Sequence, residues 1–140
     1  MRISTDPADI DFAVVHGYLA DESYWCRGVP AATLRKAIEH SLCFSAFDDE
    51  GNQIGFARVV TDRATFAYLC DVFVLASARG AGVGKALVET VVAHADLQGL
   101  RRIALATRDA HALYARYGFA PLTGPDRFME IYRPGVYTPG

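Results

Sequence analysis

A glycine-rich turn between an apolar run and an amphipathic segment constrains this chain more than any other feature. The stretch "FVLASARGAGVGKALVETVV" covers residues 73–92 and places Gly80, Gly82 and Gly84 within five residues. Apolar residues before the turn predict a strand, and apolar residues at helical spacing after it predict a helix. A strand that passes through glycines into a helix leaves backbone N–H groups exposed at the helix N-terminus, which is an arrangement that binds phosphate.

Two familiar phosphate loops do not fit this turn. A Walker A loop needs glycine at the position of Arg79 and a hydroxyl residue at the position of Ala86. A dinucleotide-binding turn needs its third glycine at the position of Lys85. Arg79 and Lys85 instead flank the turn with positive charge, which suits an anionic ligand.

The rest of the apolar pattern predicts an antiparallel meander followed by a strand–helix–strand unit. The predicted helices cover residues 10–20, 31–40, 83–97 and 109–118, and the predicted strands cover residues 42–47, 54–61, 64–75, 102–107 and 127–133. The helix after residue 108 is expected to begin with Asp109 as its N-cap and to stop at Gly118. This mixture indicates a single α+β domain over residues 1–140.

Composition excludes several classes of protein. The chain has 140 residues, 51% of them hydrophobic, which supplies one core, and its net charge of −2 does not suggest a nucleic-acid or membrane-surface partner. Met1 is not followed by an apolar signal segment, and no apolar run approaches the roughly 20 residues that a membrane span needs. We therefore expect a cytoplasmic protein.

Cysteine and histidine spacing argues against disulfides and metal. Cys26, Cys43 and Cys70 are odd in number and widely spaced, so we expect reduced thiols. The four histidines have no metal-ligand spacing, so no metal site is expected.

Two motifs in order carry a resemblance to a known family. The first is Arg-x-x-Gly-x-Gly within "DVFVLASARGAGVGKALV", and the second is Ala-x-x-x-Tyr-x-x-x-Gly-Phe within "DAHALYARYGF". They are met by Arg79, Gly82 and Gly84, and by Ala110, Tyr114, Gly118 and Phe119. With these motifs the chain resembles the GNAT superfamily of acyl-CoA-dependent N-acetyltransferases. The resemblance implies a mixed sheet of about six to seven strands with helices on both faces, and acetyl-CoA as the cofactor.

The resemblance also assigns residues to acetyl-CoA. The turn and its flanks would hold the pyrophosphate, and the strand before it would offer backbone groups to the pantetheine and the acetyl carbonyl. These residues are Arg79, Gly80, Ala81, Gly82, Val83, Gly84 and Lys85 for the pyrophosphate, and Val72, Phe73 and Val74 for the arm. Thr107 stands where many members have an asparagine that contacts pantetheine, and its hydroxyl can still bond an amide. The alternative is that the glycines serve only the geometry of a tight turn.

Tyr114 matches the family's tyrosine and is therefore the expected general acid. A phenol with a pKa near 10 can protonate the coenzyme A thiolate as it leaves. The alternative is an aromatic core residue on a short helix.

Asp71 has two possible roles. It lies in the central strand next to the expected acetyl site, where it could act as a base for the acceptor amine, directly or through water. It could instead pair with Arg58 or another arginine, because burying an unpaired carboxylate is costly. Strand alternation places Asp71 and Phe73 on one face of the sheet, and Val72 and Val74 on the other.

The acceptor pocket is expected near the loop after the first helix, which covers that site in relatives. Glu22, Tyr24, Trp25 and Tyr68 are the candidate lining residues, although core packing is an equal alternative for each. The expected activity is direct transfer of acetyl from acetyl-CoA to a primary amine of a small molecule or peptide, in a ternary complex. A non-catalytic acyl-CoA-binding or sensing module is the alternative, and the resemblance also allows a homodimer formed through the last strands.

Overall fold

Five strands within residues 1–138 form one mixed sheet, in which each strand pairs with the next one along the chain. The structure is a computed structural model that describes residues 1–138. All neighbouring strands are antiparallel except the last two, which are parallel. The strands are β1 (Arg2–Ser4), β2 (Leu42–Phe47), β3 (Gln53–Thr61), β4 (Phe66–Val74) and β5 (Arg102–Leu105), and the helices are α1 (Phe12–Asp21), α2 (Ala31–Glu39), α3 (Val83–Ala93) and α4 (His111–Ala115).

The sheet has a core on each face, as the predicted α+β arrangement requires. On one face, α3 packs its buried Leu87 and Val91 against Phe44 and Val59 of the sheet. On the other face, α1 and α2 pack Leu19 and other apolar residues around Phe56 and Phe73. This burial explains why α1 and α3 are stable despite their modest length, since most helix stability in proteins comes from packing an apolar face.

The prediction of six to seven strands is wrong, because the sheet has five in the part of the chain that the structure describes. Residues 127–133 alternate as a strand should, but they pair with no strand in the part of the chain that the structure describes. Met129, Ile131 and Tyr132 in this segment are 97%, 83% and 72% exposed. Alternation of apolar and polar residues shows only that the two faces of a segment differ. A strand also needs a neighbouring strand that pairs with its backbone N–H and C=O groups.

Several further boundaries differ from the predictions: β5 ends at Leu105 instead of residue 107, and α4 ends at Ala115 instead of Gly118. The strand β1 was not predicted, because its three residues are too few to reveal a period. The helix α3 ends at Ala93 instead of residue 97, since His94 takes an extended backbone conformation. Asp109 is not the N-cap of α4, because Ala110 occupies that position and Thr107 Oγ1 accepts from the Ala110 N–H at 3.1 Å.

A bulge in β4 changes which residues face each core. Phe56 pairs with Phe73 and Arg58 pairs with Cys70, so two residues of β4, Asp71 and Val72, lie opposite one residue of β3. Before the bulge Leu69 faces the α3 core, and after it Phe73 faces the opposite core. The extra residue therefore shifts the alternation by one. Within residues 1–138, no helix combines the length and apolar character needed to cross a membrane.

Candidate active site

The parallel strands β4 and β5 separate partway along their length. Their pairing runs from Phe66 opposite Arg102 to Leu69 opposite Leu105. Beyond this point β4 continues to Val74, paired with β3 on one side but with no strand on the side of β5. Backbone groups of residues 70–74 that face away from β3 therefore have no strand beside them. A cavity of about 350 Å³ opens at this gap. Its walls come from β4, from the loop between α1 and α2, from residues 106–110, and from α4.

The glycine-rich turn lines a second cavity, of about 300 Å³, at the N-terminus of α3. Gly80 and Gly82 have φ angles of +85° and +81°, which only glycine adopts without strain. Gly82 is the N-cap of α3 and provides no side-chain cap, so the N–H groups of the first turn can bind an anion. An added Cβ at Gly80 or Gly82 would meet nothing within 4 Å, so the backbone conformation, not space within the protein, requires glycine there.

The charged and apolar residues of this turn differ in their positions. Lys85 lines the cavity, as do Val83 and Gly84, whereas Ala81 is not part of the lining. Arg79 also lines it, but its guanidinium donates to the Val74 carbonyl at 3.2 Å and to the Tyr18 hydroxyl at 3.2 Å. Arg79 thus ties the turn to β4 and α1 in addition to adding charge.

Tyr114 lies at the centre of the arrangement. It is a buried residue of α4, its ring packs edge-on against Phe119 with centroids 5.8 Å apart, and it lines the cavity at the β4–β5 gap. Burial raises the pKa of the Tyr114 phenol above its usual value, and Tyr24 adds to the shift. Tyr114 therefore keeps its proton at neutral pH, as a general acid must.

Asp71 lies in the same cavity and pairs with Arg58. Arg58 Nε donates to Asp71 Oδ2 at 2.7 Å, and the two side chains are 18% and 7% exposed. The predicted alternative of an ion pair with Arg58 is therefore confirmed. The second oxygen, Oδ1, accepts from Trp25 Nε1 at 2.8 Å. Asp71 shares its face of the sheet with Phe73, while Val72 and Val74 pack on the α3 side, as the alternation predicted.

Three of the four predicted acceptor residues line this cavity. Tyr24 and Trp25 form one wall, with ring centroids 5.0 Å apart and planes nearly perpendicular, and Tyr68 forms another. Glu22 is an exposed C-cap residue of α1 and is absent from the lining. Thr107 belongs to the cavity wall, and its hydroxyl already bonds the Ala110 N–H.

Arg108 is a cavity residue that was not predicted from the sequence patterns. Its guanidinium lies 3.8 Å from the centre of the Tyr24 ring, and its backbone N–H donates to the Tyr24 hydroxyl at 3.3 Å. These contacts hold Tyr24 at the mouth of the cavity. Its position just after the carboxyl end of a parallel strand is the signal that could have found it, because ligands bind at such ends.

Comparison with known proteins assigns the family. Residues 35–119, more than half of the chain, match the model of the family described as "Acetyltransferase (GNAT) family". The chain belongs to the GNAT acetyltransferase family. The resemblance predicted from the two motifs is therefore confirmed, and this GNAT family uses acetyl-CoA.

Two relatives and two solved structures illustrate what this GNAT protein is similar to. A Gibberella zeae protein named "Putative acetyltransferase FG08082" is 30% identical across 81% of this chain and 75% of its own length. "Serotonin N-acetyltransferase 2, chloroplastic" of Oryza sativa subsp. japonica is 37% identical across 71% of this chain, which spans only 52% of that protein.

Among solved structures, a GNAT-family protein from Xanthomonas campestris pv. campestris is 53% identical, with a TM-score of 0.96 over 99% of this chain and 96% of that one. Rv2747 from Mycobacterium tuberculosis, solved in complex with CoA, is 21% identical, with a TM-score of 0.67 over 89% of this chain and 77% of that one. At 21% identity, the similarity to Rv2747 shows a shared fold only.

The strand before the turn adjoins both cavities in this GNAT protein. Phe73 is buried and stacks on Tyr18 with ring centroids 4.1 Å apart. Val72 lines the cavity at the β4–β5 gap, and Val74 lines the cavity at the glycine turn. The two cavities therefore adjoin consecutive parts of one strand.

The thiols of this GNAT protein are protonated at neutral pH. Burial raises the pKa of Cys43 and of Cys70 to about 12, and it also raises the pKa of Cys26. A thiol acts as a nucleophile in its thiolate form, which such pKa values suppress. Cys70, although it lines the cavity beside Asp71, is therefore poorly suited to carry an acyl group.

Proposed function

We propose that this GNAT protein transfers the acetyl group of acetyl-CoA to the primary amine of a small molecule by direct attack in a ternary complex. The observation that carries the proposal is the gap between β4 and β5, which exposes unpaired backbone of β4 beside Tyr114. An amine and a thioester that meet in this gap would react next to backbone donors and a protonated phenol. This is the arrangement that acyl transfer requires.

The pyrophosphate of acetyl-CoA would bind at the N-terminus of α3. Supporting this placement, Gly80 and Gly82 hold left-handed conformations that present the first-turn N–H groups, and Lys85 lies in the same cavity. The pantetheine arm would extend along β4 from this turn into the gap, past Val74 and Val72. Thr107 lies on the opposite side of the gap. The second lone pair of its hydroxyl oxygen would accept a hydrogen bond from an amide N–H of the arm.

The chemical step would use Tyr114 as general acid. The amine nitrogen attacks the thioester carbonyl, the oxyanion that forms accepts hydrogen bonds from backbone N–H groups of residues 72–74, and the C–S bond then breaks. The Tyr114 hydroxyl gives its proton to the departing thiolate, the nitrogen loses its proton to water, and the Tyr114 phenolate then regains a proton from solvent. Burial raises the pKa of the Tyr114 phenol, so the phenol is protonated at neutral pH and its proton is available when the thiolate forms. The high pKa values of Cys43 and Cys70 favour direct attack over an acyl-cysteine intermediate.

The acceptor would enter from the side of Trp25, Tyr24 and Tyr68. These three rings, each partly exposed, surround a cavity large enough for a small amine and suit an acceptor with an aromatic or aliphatic body. A relative named for serotonin, a primary amine that carries an aromatic ring, supports the same acceptor class. The amines of peptides are a second class of acceptor, and the assay described below includes one.

We also propose a homodimer joined at β5. In residues 1–138, no strand pairs with the outer edge of β5, and a mainly apolar cavity of about 470 Å³ lies along it. The unpaired segment 127–133 of a second copy has the alternation needed to add there, and it exposes Met129 and Ile131. Each copy would add its segment 127–133 to the β5 edge of the other copy. The two contacts would then be equivalent, and the assembly would stop at two copies. Tyr114 lines this cavity too, so the partner strand would shield it from water.

The experiment that tests the activity is a thiol-release assay. The purified protein is mixed with acetyl-CoA and a panel of amines containing serotonin, a polyamine, an aminoglycoside and a lysine peptide, and CoA binding is measured separately by calorimetry. The proposal expects amine-dependent release of free thiol with at least one acceptor. CoA binding without turnover on any amine would instead support a non-catalytic acyl-CoA-binding module, and absence of CoA binding would contradict both.

A further inference from the structure

Asp71 occupies a strained position at the centre of the site. It lies in the bulge of β4 with a φ angle of +54°, a left-handed conformation that costs most residues energy and that aspartate tolerates better than most. Such outliers persist where the surroundings hold them in place. The residue that follows, Val72, lines the β4–β5 gap, so the conformation of Asp71 sets the direction of the backbone that faces the acetyl group.

Both oxygens of the Asp71 carboxylate are occupied by donors from other elements. Trp25 Nε1, from the loop between α1 and α2, donates to Oδ1 at 2.8 Å. Arg58 Nε, from β3, donates to Oδ2 at 2.7 Å. Arg58 Nη1 in turn donates to Ser41 Oγ at 3.1 Å, and Ser41 Oγ donates to the Ala37 carbonyl of α2 at 2.6 Å. This chain of hydrogen bonds links α2, β3, the bulge of β4 and the loop that carries Trp25.

The Trp25 ring depends on this anchor. Trp25 is 40% exposed and forms a wall of the cavity, so core packing alone does not fix its orientation. The hydrogen bond from its indole N–H to a nearly buried carboxylate does so, because bonds to charged groups are stronger than neutral ones. The carboxylate therefore determines the shape of the acceptor side of the cavity.

We propose that Asp71 is a positioning residue that fixes Trp25 against the acceptor and holds the bulge before Val72, and that it does not accept the proton of the amine. Protonation of either oxygen would weaken a bond to Trp25 or Arg58. It would also leave the largely buried Arg58 guanidinium beside a neutral acid, which is unfavourable. The role toward the acceptor rests on the proposed acetyl transfer, whereas the anchoring of Trp25 does not.

Trp25 reports on its own anchor, since it is the single tryptophan of the chain. In Asp71→Asn, one carboxylate oxygen becomes an NH2 group that can accept from neither Trp25 nor Arg58, and the bond that remains is no longer to a charged acceptor, so we expect a shifted Trp25 emission maximum and stronger quenching by acrylamide. The matched control is Asp109→Asn, which removes a carboxylate from the same cavity without touching the indole N–H. Unchanged emission and quenching in Asp71→Asn would overturn the anchoring, whether or not the protein has activity.

Kinetics then separate positioning from proton transfer. We expect Asp71→Asn and Trp25→Phe each to raise KM for the amine roughly tenfold, as loss of one bond to a charged group implies, while KM for acetyl-CoA stays within about twofold. Because both substitutions break the same bond, the double variant should raise KM no further than either single variant. A large fall in kcat in Asp71→Asn, with both KM values unchanged and with activity recovering as the pH approaches the pKa of the acceptor amine, would identify Asp71 as the base and overturn the proposal, because an amine that is already deprotonated needs no base. Loss of positioning would instead lower kcat equally at every pH. If the wild-type protein releases no thiol with any amine, the proposed activity fails, and the emission measurement still decides the anchoring.

Discussion

Leu69 and Leu105 are the last residues that pair across the parallel strands β4 and β5. Beyond this pair β4 continues to Val74, whereas the chain after Leu105 turns away toward α4. The gap between the two strands thus begins at a defined register position. The glycine turn, Asp71 and Tyr114 all adjoin the cavities that follow from it.

Substituting Gly82 should weaken both the fold and CoA binding. Alanine at a φ angle of +81° costs about 1–2 kcal/mol, and the first-turn N–H groups would lose their alignment. We expect Gly82→Ala to lower the free energy of unfolding in urea by about that amount and to raise the Kd for CoA. Gly17→Ala is the matched control, because Gly17 lies within α1 and an added Cβ there meets nothing within 4 Å. It should raise the free energy of unfolding by about 0.5–1 kcal/mol and leave CoA binding unchanged. Equal effects of both substitutions would contradict the role of the turn.

The basic limb of the pH profile should lie above pH 10. Burial raises the pKa of Tyr114 above its usual value of about 10, so the phenol stays protonated below pH 10 in the folded protein. Because the folded-state pKa is the higher one, the contribution of this group to stability is complete below pH 10 and is lost as the pH rises through the folded-state pKa. We expect kcat/KM to show no Tyr114-dependent fall between pH 7 and 10. A fall near pH 8 that disappears in Tyr114→Phe would contradict this assignment.

The outer edge of β5 should join two copies of the chain. We expect light scattering coupled to gel filtration to give twice the monomer mass of 15.2 kDa. Replacing Met129 and Ile131 together by lysine should give the monomer, because two charges would enter the apolar cavity beside β5. Val60→Lys is the control, since Val60 is an exposed apolar residue of β3. A wild-type protein that is monomeric at all concentrations, or a lysine variant that stays dimeric, would exclude this assembly.

Local chemistry made part of the fold predictable. The strand predicted over residues 42–47 is confirmed as β2, because all six of its residues are buried and apolar or small. The glycine turn and Tyr114 were found because each needs specific residue types at fixed spacing. By contrast, the bulge at Asp71 could not be predicted. Residues alternate between the two faces of the sheet both before and after the bulge, so the sequence pattern does not show where the extra residue lies.

Long-range pairing made the rest unpredictable. Residues 127–133 have the alternation of a strand, but whether they pair depends on which edge is within reach. Arg108 follows a short strand and contacts Tyr24, which is 84 residues earlier in the chain, and no local pattern indicates that contact. Asp109 matched the chemistry of an N-cap, yet Thr107 accepts the Ala110 N–H instead. The first two cases depend on where distant segments meet, whereas the Thr107 bond is local and shows that two nearby residues offered competing starts for α4.

The most direct test of the account is the rate of thiol release by Tyr114→Phe at saturating acetyl-CoA and amine. The substitution removes only the hydroxyl and keeps the ring that packs on Phe119, so CoA affinity by calorimetry and thermal stability should change little. The account predicts that kcat falls by roughly 100-fold or more, as loss of a general acid implies. A kcat within about threefold of the wild-type value, with CoA affinity unchanged, would contradict it.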